Sequence, residues 1–308
     1  MRSTLRVTEV DVFATGPFTG NGLAVVHGAD HLTDEQLQAV ARWTQFSETA
    51  FLLRPTVPGA DYRVRILTPV TEYAFAGHPT LGAAHAWLGA GGVPGSRSDG
   101  GTGTVGTGGT AGTVVQECGI GLVTVRRDGA GAEGTEGAPG RTGQAGALLS
   151  FAAPERTRTG PLAQDDLARV LDALGLTAAD VVAHAWGSNG PQWRMVELAD
   201  AEAVRAVGGS LVGTGLRCGV VGVETDPGAG VAYEVRAFTS QHEDAVTGSL
   251  QASVAQWMRE RGRVPRRWTA AQGGSVGRAG RVELLDDGHD VWVGGRCATR
   301  VSGTLHLG

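Results

Sequence analysis

Residues 62–87 read YRVRILTPVTEYAFAGHPTLGAAHAW, and residues 233–257 read YEVRAFTSQHEDAVTGSLQASVAQW. Each is an alternating strand, a polar turn, and a glycine that leads into a helix rich in small and apolar residues. Tyr62 to Gly77 spans fifteen positions, as does Tyr233 to Gly248. In this register Val64-Arg65 matches Val235-Arg236, Thr68 matches Thr239, and His78 faces Ser249. A repeat with unchanged internal spacing, one copy in each half, predicts two similar domains facing each other. In the first copy Leu81, Ala83, Ala84, Ala86, Trp87 and Leu88 leave His85 as the exception to an apolar helix, so that helix is expected to be buried on all sides. Pro79 suits its first position.

The rest of the chain fits an α+β pattern. Residues 5–13 alternate as a strand, and residues 17–22 form a turn cluster before an apolar strand at 23–26. Thr33 and Gln36 have capping-box spacing, opening a helix with Leu37, Val40 and Ala41 on one face. Glu48 is expected at the start of a strand, among Phe46, Ala50 and Phe51. A strand through Gly119-Ile120-Gly121 is expected to run to Val125. The second half is expected to open with a strand at 147–151, followed by a helix at 164–174, strands at 192–198 and 219–223, and three short strands ending near Leu307. The N-terminal domain is expected over 1–127, with the last strand, about 300–308, free to return to it. The C-terminal domain is expected over 148–299. Residues 89–112 read as a Gly-rich surface insertion and 128–147 as a Gly/Ala-rich linker. Residues 101–106 match GxGxxG, but no strand precedes them and no helix follows, so a nucleotide site is rejected there.

Bulk properties narrow the function. The 308 residues can build two cores, and 41% hydrophobic content is ordinary for a folded chain. The net charge is -5, all of the 26 basic residues are Arg, and no basic block occurs, so nucleic acid is not an expected partner. Three scattered cysteines without a CxxC argue against a disulfide framework or a zinc site and fit a cytoplasmic location. No signal peptide or membrane span is readable.

The Gly77 and Gly248 turns deliver the chain to helix N-termini, whose free N–H groups and dipoles can hold a carboxylate or an enolate-like intermediate. They can equally be ordinary helix starts. Glu48, placed in an apolar cleft, would be a proton shuttle; on an exposed strand end it would be an ordinary carboxylate. Glu72 and Glu243-Asp244 are the other acidic groups near these turns, and Asp244 either serves chemistry or caps its own turn. His78 is a candidate acid or donor, or a packed helix-start histidine. Asn21 holds a carboxylate or supplies a left-handed turn. His242 offers a second titratable group or is a solvated loop residue.

Four segments in order, Pro17-Phe18-Thr19-Gly20-Asn21, Ser47-Glu48-Thr49-Ala50-Phe51, Phe75-Ala76-Gly77-His78-Pro79-Thr80 and Glu243-Asp244-Ala245-Val246-Thr247-Gly248-Ser249, resemble the signature segments of the PhzF family, as does Gln272-Gly273 through Gly277-Arg278. The resemblance implies a diaminopimelate-epimerase-like fold: two pseudo-symmetric domains, each a curved, mostly antiparallel sheet around a central helix, with the active site between them. It implies cofactor-independent, metal-free isomerase chemistry, in which a carboxylate corresponding to Glu48 shuttles a proton, as in the isomerisation of trans-2,3-dihydro-3-hydroxyanthranilate in phenazine biosynthesis. It further implies that His78, Asp244 and Ser249 line the pocket; Asn21, Gly77, Gly248, Ser249 and Gly273 are expected to bind the substrate. Family members are often homodimers. The chain departs from the pattern in having Ala245 where the family usually has Pro, and Gln241-His242 before the Glu-Asp pair. Ala76 and Thr247 stand where racemases sharing the fold carry a cysteine pair, which disfavours two-thiol racemisation.

Overall fold

The computed structural model describes residues 4–95, 112–128 and 148–307. The rejected GxGxxG match, most of the 89–112 insertion and nearly all of the 128–147 linker lie outside the described residues. The chain divides into two compact units, the first made of Met1–Phe18, Gly22–Ala152 and Gly294–Gly308, the second of Thr19–Asn21 and Ala153–Val293.

The first unit holds β1 (Thr4–Val12), β2 (Asn21–His27), α1 (Asp34–Thr44), β3 (Thr49–Leu53), β4 (Tyr62–Leu67), β5 (Glu72–Tyr73), α2 (Gly77–Gly89), β6 (Thr113–Cys118), β7 (Gly121–Asp128) and β8 (Leu148–Ala152). The second holds α3 (Gln164–Leu174), β9 (Val181–Trp186), β10 (Arg194–Leu198), α4 (Ala201–Ala206), β11 (Cys218–Val223), β12 (Tyr233–Phe238), β13 (Glu243–Asp244), α5 (Gly248–Glu260), β14 (Arg267–Gln272) and β15 (Gly280–Asp286). A last strand, β16 (Val291–His306), begins in the second unit's stretch of chain and ends in the first's.

Strands of the first unit run in the order β1-β2-β3-β4-β6-β7-β8, with β5 on β4. β16 pairs with β1 from Thr4↔His306 to Val12↔Cys297 and neighbours β8, which closes the sheet into a barrel-like ring. Closure leaves few free edges. Helix α2 contacts β1, β3, β6, β7 and β8. It is buried from Gly77 through Ala84 and again at Ala86, as expected of a helix without a polar face. Pro79 occupies the third helical position rather than the first; the first-turn N–H groups all lack intrahelical partners, so a proline costs nothing there either. The capping box of α1 forms, with Thr33 N–H donating to Gln36 Oε1 at 3.0 Å and Gln36 N–H to Thr33 Oγ1 at 3.3 Å.

The second unit orders its strands β9-β10-β11-β12-β14-β15, with β13 on β12. Pairings β10–β11 and β12–β14 are parallel, as are β2–β3 and β4–β6 in the first unit. Its core gathers Val170, Leu174, Trp186, Val196, Val204 and Phe238. Among the described residues, no helix is long and apolar enough to cross a membrane.

The repeat keeps its lengths in three dimensions: strands of six and two residues and a helix of thirteen in each copy. Thr68 Oγ1 accepts from Val70 and Thr71 N–H, and Thr239 Oγ1 accepts from Gln241 and His242 N–H. Arg65 is bidentate on Glu72 and Arg236 on Glu243. After the next strand, a Cβ on Gly119 would stand 2.7 Å from the Ala74 Cα, and one on Gly273 would stand 2.6 Å from the Ala245 carbonyl oxygen. Gly273 also has φ 101°, so two constraints fix glycine there.

Three expectations need correction. The strand at Leu148 does not open the second half: it pairs antiparallel with β7, Val125 facing Phe151, and clusters with the first unit. The strand expected through Gly119–Gly121 is a hairpin, β6 and β7, turning at Gly119-Ile120 with Gly121 at φ 106°. The short strands expected at the end are β15 and the sixteen-residue β16.

Candidate active site

Helix α1 ends at Thr44, and Gln45 in the left-handed region (φ 60°) reverses the chain. Residues 46–47 then form a bend, so Glu48 precedes β3 by one residue instead of lying within it. Thr44 and Thr49 hydroxyls, 2.8 Å apart, brace that bend. His78 is the second residue of α2. Its Nε2 lies 3.6 Å from Glu48 Oε2, with side-chain exposures of 3% and 14%. The two are an ion pair when His78 is protonated. The Ala76 N-cap gives α2 no side-chain cap, and the positive end of the helix lies beside this pair. Behind it, Tyr62 OH donates to Gln116 Oε1 and Gln116 Nε2 to Thr80 Oγ1, which donates to the Ala76 carbonyl. This buried chain holds the helix start rigid.

In the second unit Asp244 is held from both sides. Its Oδ1 accepts from Asn21 Nδ2 at 2.9 Å and its Oδ2 from Thr247 Oγ1 at 2.6 Å. Asn21 Nδ2 also donates to the Val246 carbonyl at 2.9 Å. The amide N–H groups of Asn21 are thus spent on protein, and Asn21 positions Asp244 rather than meeting a carboxylate through them. Gln272 orders the other side. Its Oε1 accepts from Thr247 N–H and Gln251 Nε2, and its Nε2 donates to Thr247 Oγ1 at 3.0 Å. Asp244 therefore does more than cap its own turn: a five-residue network fixes its carboxylate.

At the start of α5, Ser249 Oγ accepts from Trp193 Nε1 at 3.1 Å, and Asn189 Nδ2 donates to the Ser249 carbonyl at 2.8 Å. Taking the indole N–H as acceptor leaves the Ser249 hydroxyl proton to be donated elsewhere. Thr247, the N-cap, sends its hydroxyl to Asp244 and gives α5 no side-chain cap.

The remaining candidates have structural work. Glu72 and Glu243 are consumed by Arg65 and Arg236. His242 is exposed, and its carbonyl closes the Thr239 turn. The Gly273 carbonyl accepts from Val276 and Arg278 N–H. Sequence reasoning missed Asn189, Trp193 and Gln251. The polar Gly187–Pro191 loop was the available signal, but its approach to Ser249 spans 60 residues of chain.

The profile described as phenazine biosynthesis-like protein matches residues 10–303. The chain belongs to the PhzC-PhzF family. An isomerase of unassigned substrate from Pseudomonas aeruginosa is 31% identical over 309 residues, covering 98% of this chain and 99% of that one. A trans-2,3-dihydro-3-hydroxyanthranilate isomerase from the same organism is 49% identical over 85 residues, 28% of this chain and 30% of its own. A PhzF-family structure from Bacillus anthracis superposes with a TM-score of 0.74 at 20% identity, over 98% of this chain and 99% of that one. A probable proline racemase from Agrobacterium radiobacter gives 0.59 at 13%, over 99% and 93%, a likeness of fold. The chain is an enzyme of this isomerase family, and the PhzC-PhzF match spans both units.

Proposed function

We propose that the protein is a cofactor-independent isomerase that moves a proton on a small carboxylate-bearing metabolite in natural-product assembly. The observation that carries this reading is the shielded Glu48–His78 pair, 3.6 Å apart at the start of α2. Glu48 takes an acidic C–H proton, and its carboxyl, open to exchange with solvent, delivers one proton to another carbon, so no atom is gained or lost. His78 donates to the oxyanion that develops as the proton leaves. Asp244, fixed by Asn21 and Thr247, orients an amine or hydroxyl of the substrate. Backbone N–H groups at Gly248-Ser249 hold the carboxylate. The duplicated architecture, two pseudo-symmetric domains each wrapped around its helix, is part of the same proposal. The local likeness to trans-2,3-dihydro-3-hydroxyanthranilate isomerase makes that compound the first probe.

The test incubates the wild-type protein with this probe and a panel of amino and hydroxy acids in deuterated water, followed by NMR. Deuterium entering one carbon position, or conversion to an isomer, is expected for at least one compound. Binding without exchange or conversion across the panel would instead make the protein a small-carboxylate binder.

A further inference from the structure

Beside the start of α5, buried polar atoms find no hydrogen-bond partner among the described residues. Asn189 is 3% exposed and Ser188 4%. Neither Asn189 Oδ1 nor Ser188 Oγ has a hydrogen-bond partner. Buried polar atoms are rarely left this way, because each unpaired one forfeits its hydration without return.

The orientation of the Asn189 amide is settled by its neighbour. Its nitrogen donates to the Ser249 carbonyl in the first turn of α5, so a flipped amide would set two acceptors against each other. Its oxygen is consequently an acceptor on the same planar group, held beside that turn. The Ser188 backbone is pinned as well: its N–H donates to the Arg158 carbonyl and its own carbonyl accepts from Thr157. Around the same turn Ser249 keeps a hydroxyl proton to give, and the helix end presents uncapped N–H groups.

This donor and acceptor set has a definite chemical complement. The helix N–H groups and the Ser249 hydroxyl take an oxyanion. The Asn189 oxygen needs a donor. We propose that Asn189 is a specificity-determining residue: its amide oxygen selects ligands that bear an N–H or O–H group next to the carboxylate and discriminates against those that lack one. The inference deepens the carboxylate reading above and rests on it for the carboxylate alone, with no dependence on Glu48. A ligand without the donor leaves this already buried oxygen unpaired, whereas one with it gains a hydrogen bond, a difference of roughly 10–100-fold in affinity.

The experiment uses matched probes, 2-aminobenzoate against 2-(dimethylamino)benzoate and benzoate, with dissociation constants from calorimetry on the wild-type, Asn189→Ala and Ser188→Ala proteins. Wild type is expected to prefer 2-aminobenzoate by about 10–100-fold over both comparators. Asn189→Ala should bring the preference to within about threefold; Ser188→Ala should keep most of it. Because Asn189 also braces α5, thermal melting and circular dichroism check the fold, and Asn189→Asp, which retains the acceptor, should retain part of the preference if it folds. Equal affinities in wild type, an unchanged ratio in Asn189→Ala, or no binding of any probe would overturn the proposal, the first meaning that buried water satisfies these atoms. Loss of the preference in Asn189→Ala together with undiminished exchange in Glu48→Gln would leave this assignment standing and refute the proton shuttle; the opposite pair of results would do the reverse.

Discussion

Replacing Arg236 by Leu should destabilise the protein far more than the equivalent change at Arg65. Both arginines are bidentate on a glutamate seven residues later, Arg65 at 2.8 and 2.5 Å and Arg236 at 2.9 and 2.8 Å. Their surroundings differ. The Arg65 side chain is 21% exposed and its partners Glu72 and Asp34 are 41% and 79% exposed, so solvent screens the pairs and re-solvates the carboxylates when the arginine is gone. Such pairs contribute about 0–1 kcal/mol. Arg236 is 9% exposed, Glu243 is 14%, and Arg236 Nη1 also donates to the Val207 carbonyl at 2.5 Å and the Val204 carbonyl at 3.3 Å, near the end of α4. Arg236→Leu removes the charge partner of a mostly buried carboxylate, to which Ser275 Oγ still donates, and a donor to the Val207 carbonyl, a loss of about 3–5 kcal/mol. With a urea dependence of about 3 kcal/mol per molar for a chain this size, the unfolding midpoint should fall by about 1–2 M, against about 0.3 M or less for Arg65→Leu. Urea titrations followed by tryptophan fluorescence measure both. Equal shifts, or a smaller one at Arg236, would refute the reasoning that burial sets the difference between the two copies.

Burial, helped by the Arg6 charge, pushes the His27 imidazole down to about 4. The unfolded chain therefore binds a proton at this site that the folded protein does not, and the stability in question is complete above about pH 6.5 and lost as pH falls toward 4. Thermal midpoints across that window should drop less for His27→Gln than for wild type. Burial raises the thiols of Cys218, to about 12, and of Cys297, while the half-buried Cys118 is raised less, so a thiol reagent should label at most one cysteine quickly in the native protein and all three in denaturant. Asn21→Ala should lower kcat/KM by about 10–100-fold through the loosened Asp244, and Asn21→Asp should lower it further by placing a second carboxylate beside the first; turnover on the compound found by the NMR panel checks both.

What the sequence made legible was whatever is written in short spacing. The fifteen-residue repeat foretold two matching strand-turn-helix units because Thr68 and Thr239 build the same turn and Gly77 and Gly248 start helices of the same length. The Thr33 capping box and the buried face of α1 are local and were equally readable. Of the site, the nearness of Glu48 and His78 followed from the family resemblance, since thirty residues separate them and no periodicity links them. The Asp244 network joins residues 21, 244, 247, 251 and 272, and the Ser249 contacts arrive from 189 and 193. Only tertiary packing brings such side chains together, so pattern alone did not foretell that Asn21 donates to Asp244. The β6–β7 hairpin was hidden because Ile120 sits at its tip, 46% exposed, and reads as part of an apolar run.

Glu48 is the group proposed to carry the proton. The most direct measurement is NMR of one carboxylate substrate in deuterated water with wild-type protein and with Glu48→Gln, a change that keeps the side chain's size and removes its basicity. Exchange and conversion should fall by at least about 100-fold in the variant, with an unchanged melting temperature and retained binding. A Glu48→Gln protein that exchanges and converts the substrate at the wild-type rate would contradict the account.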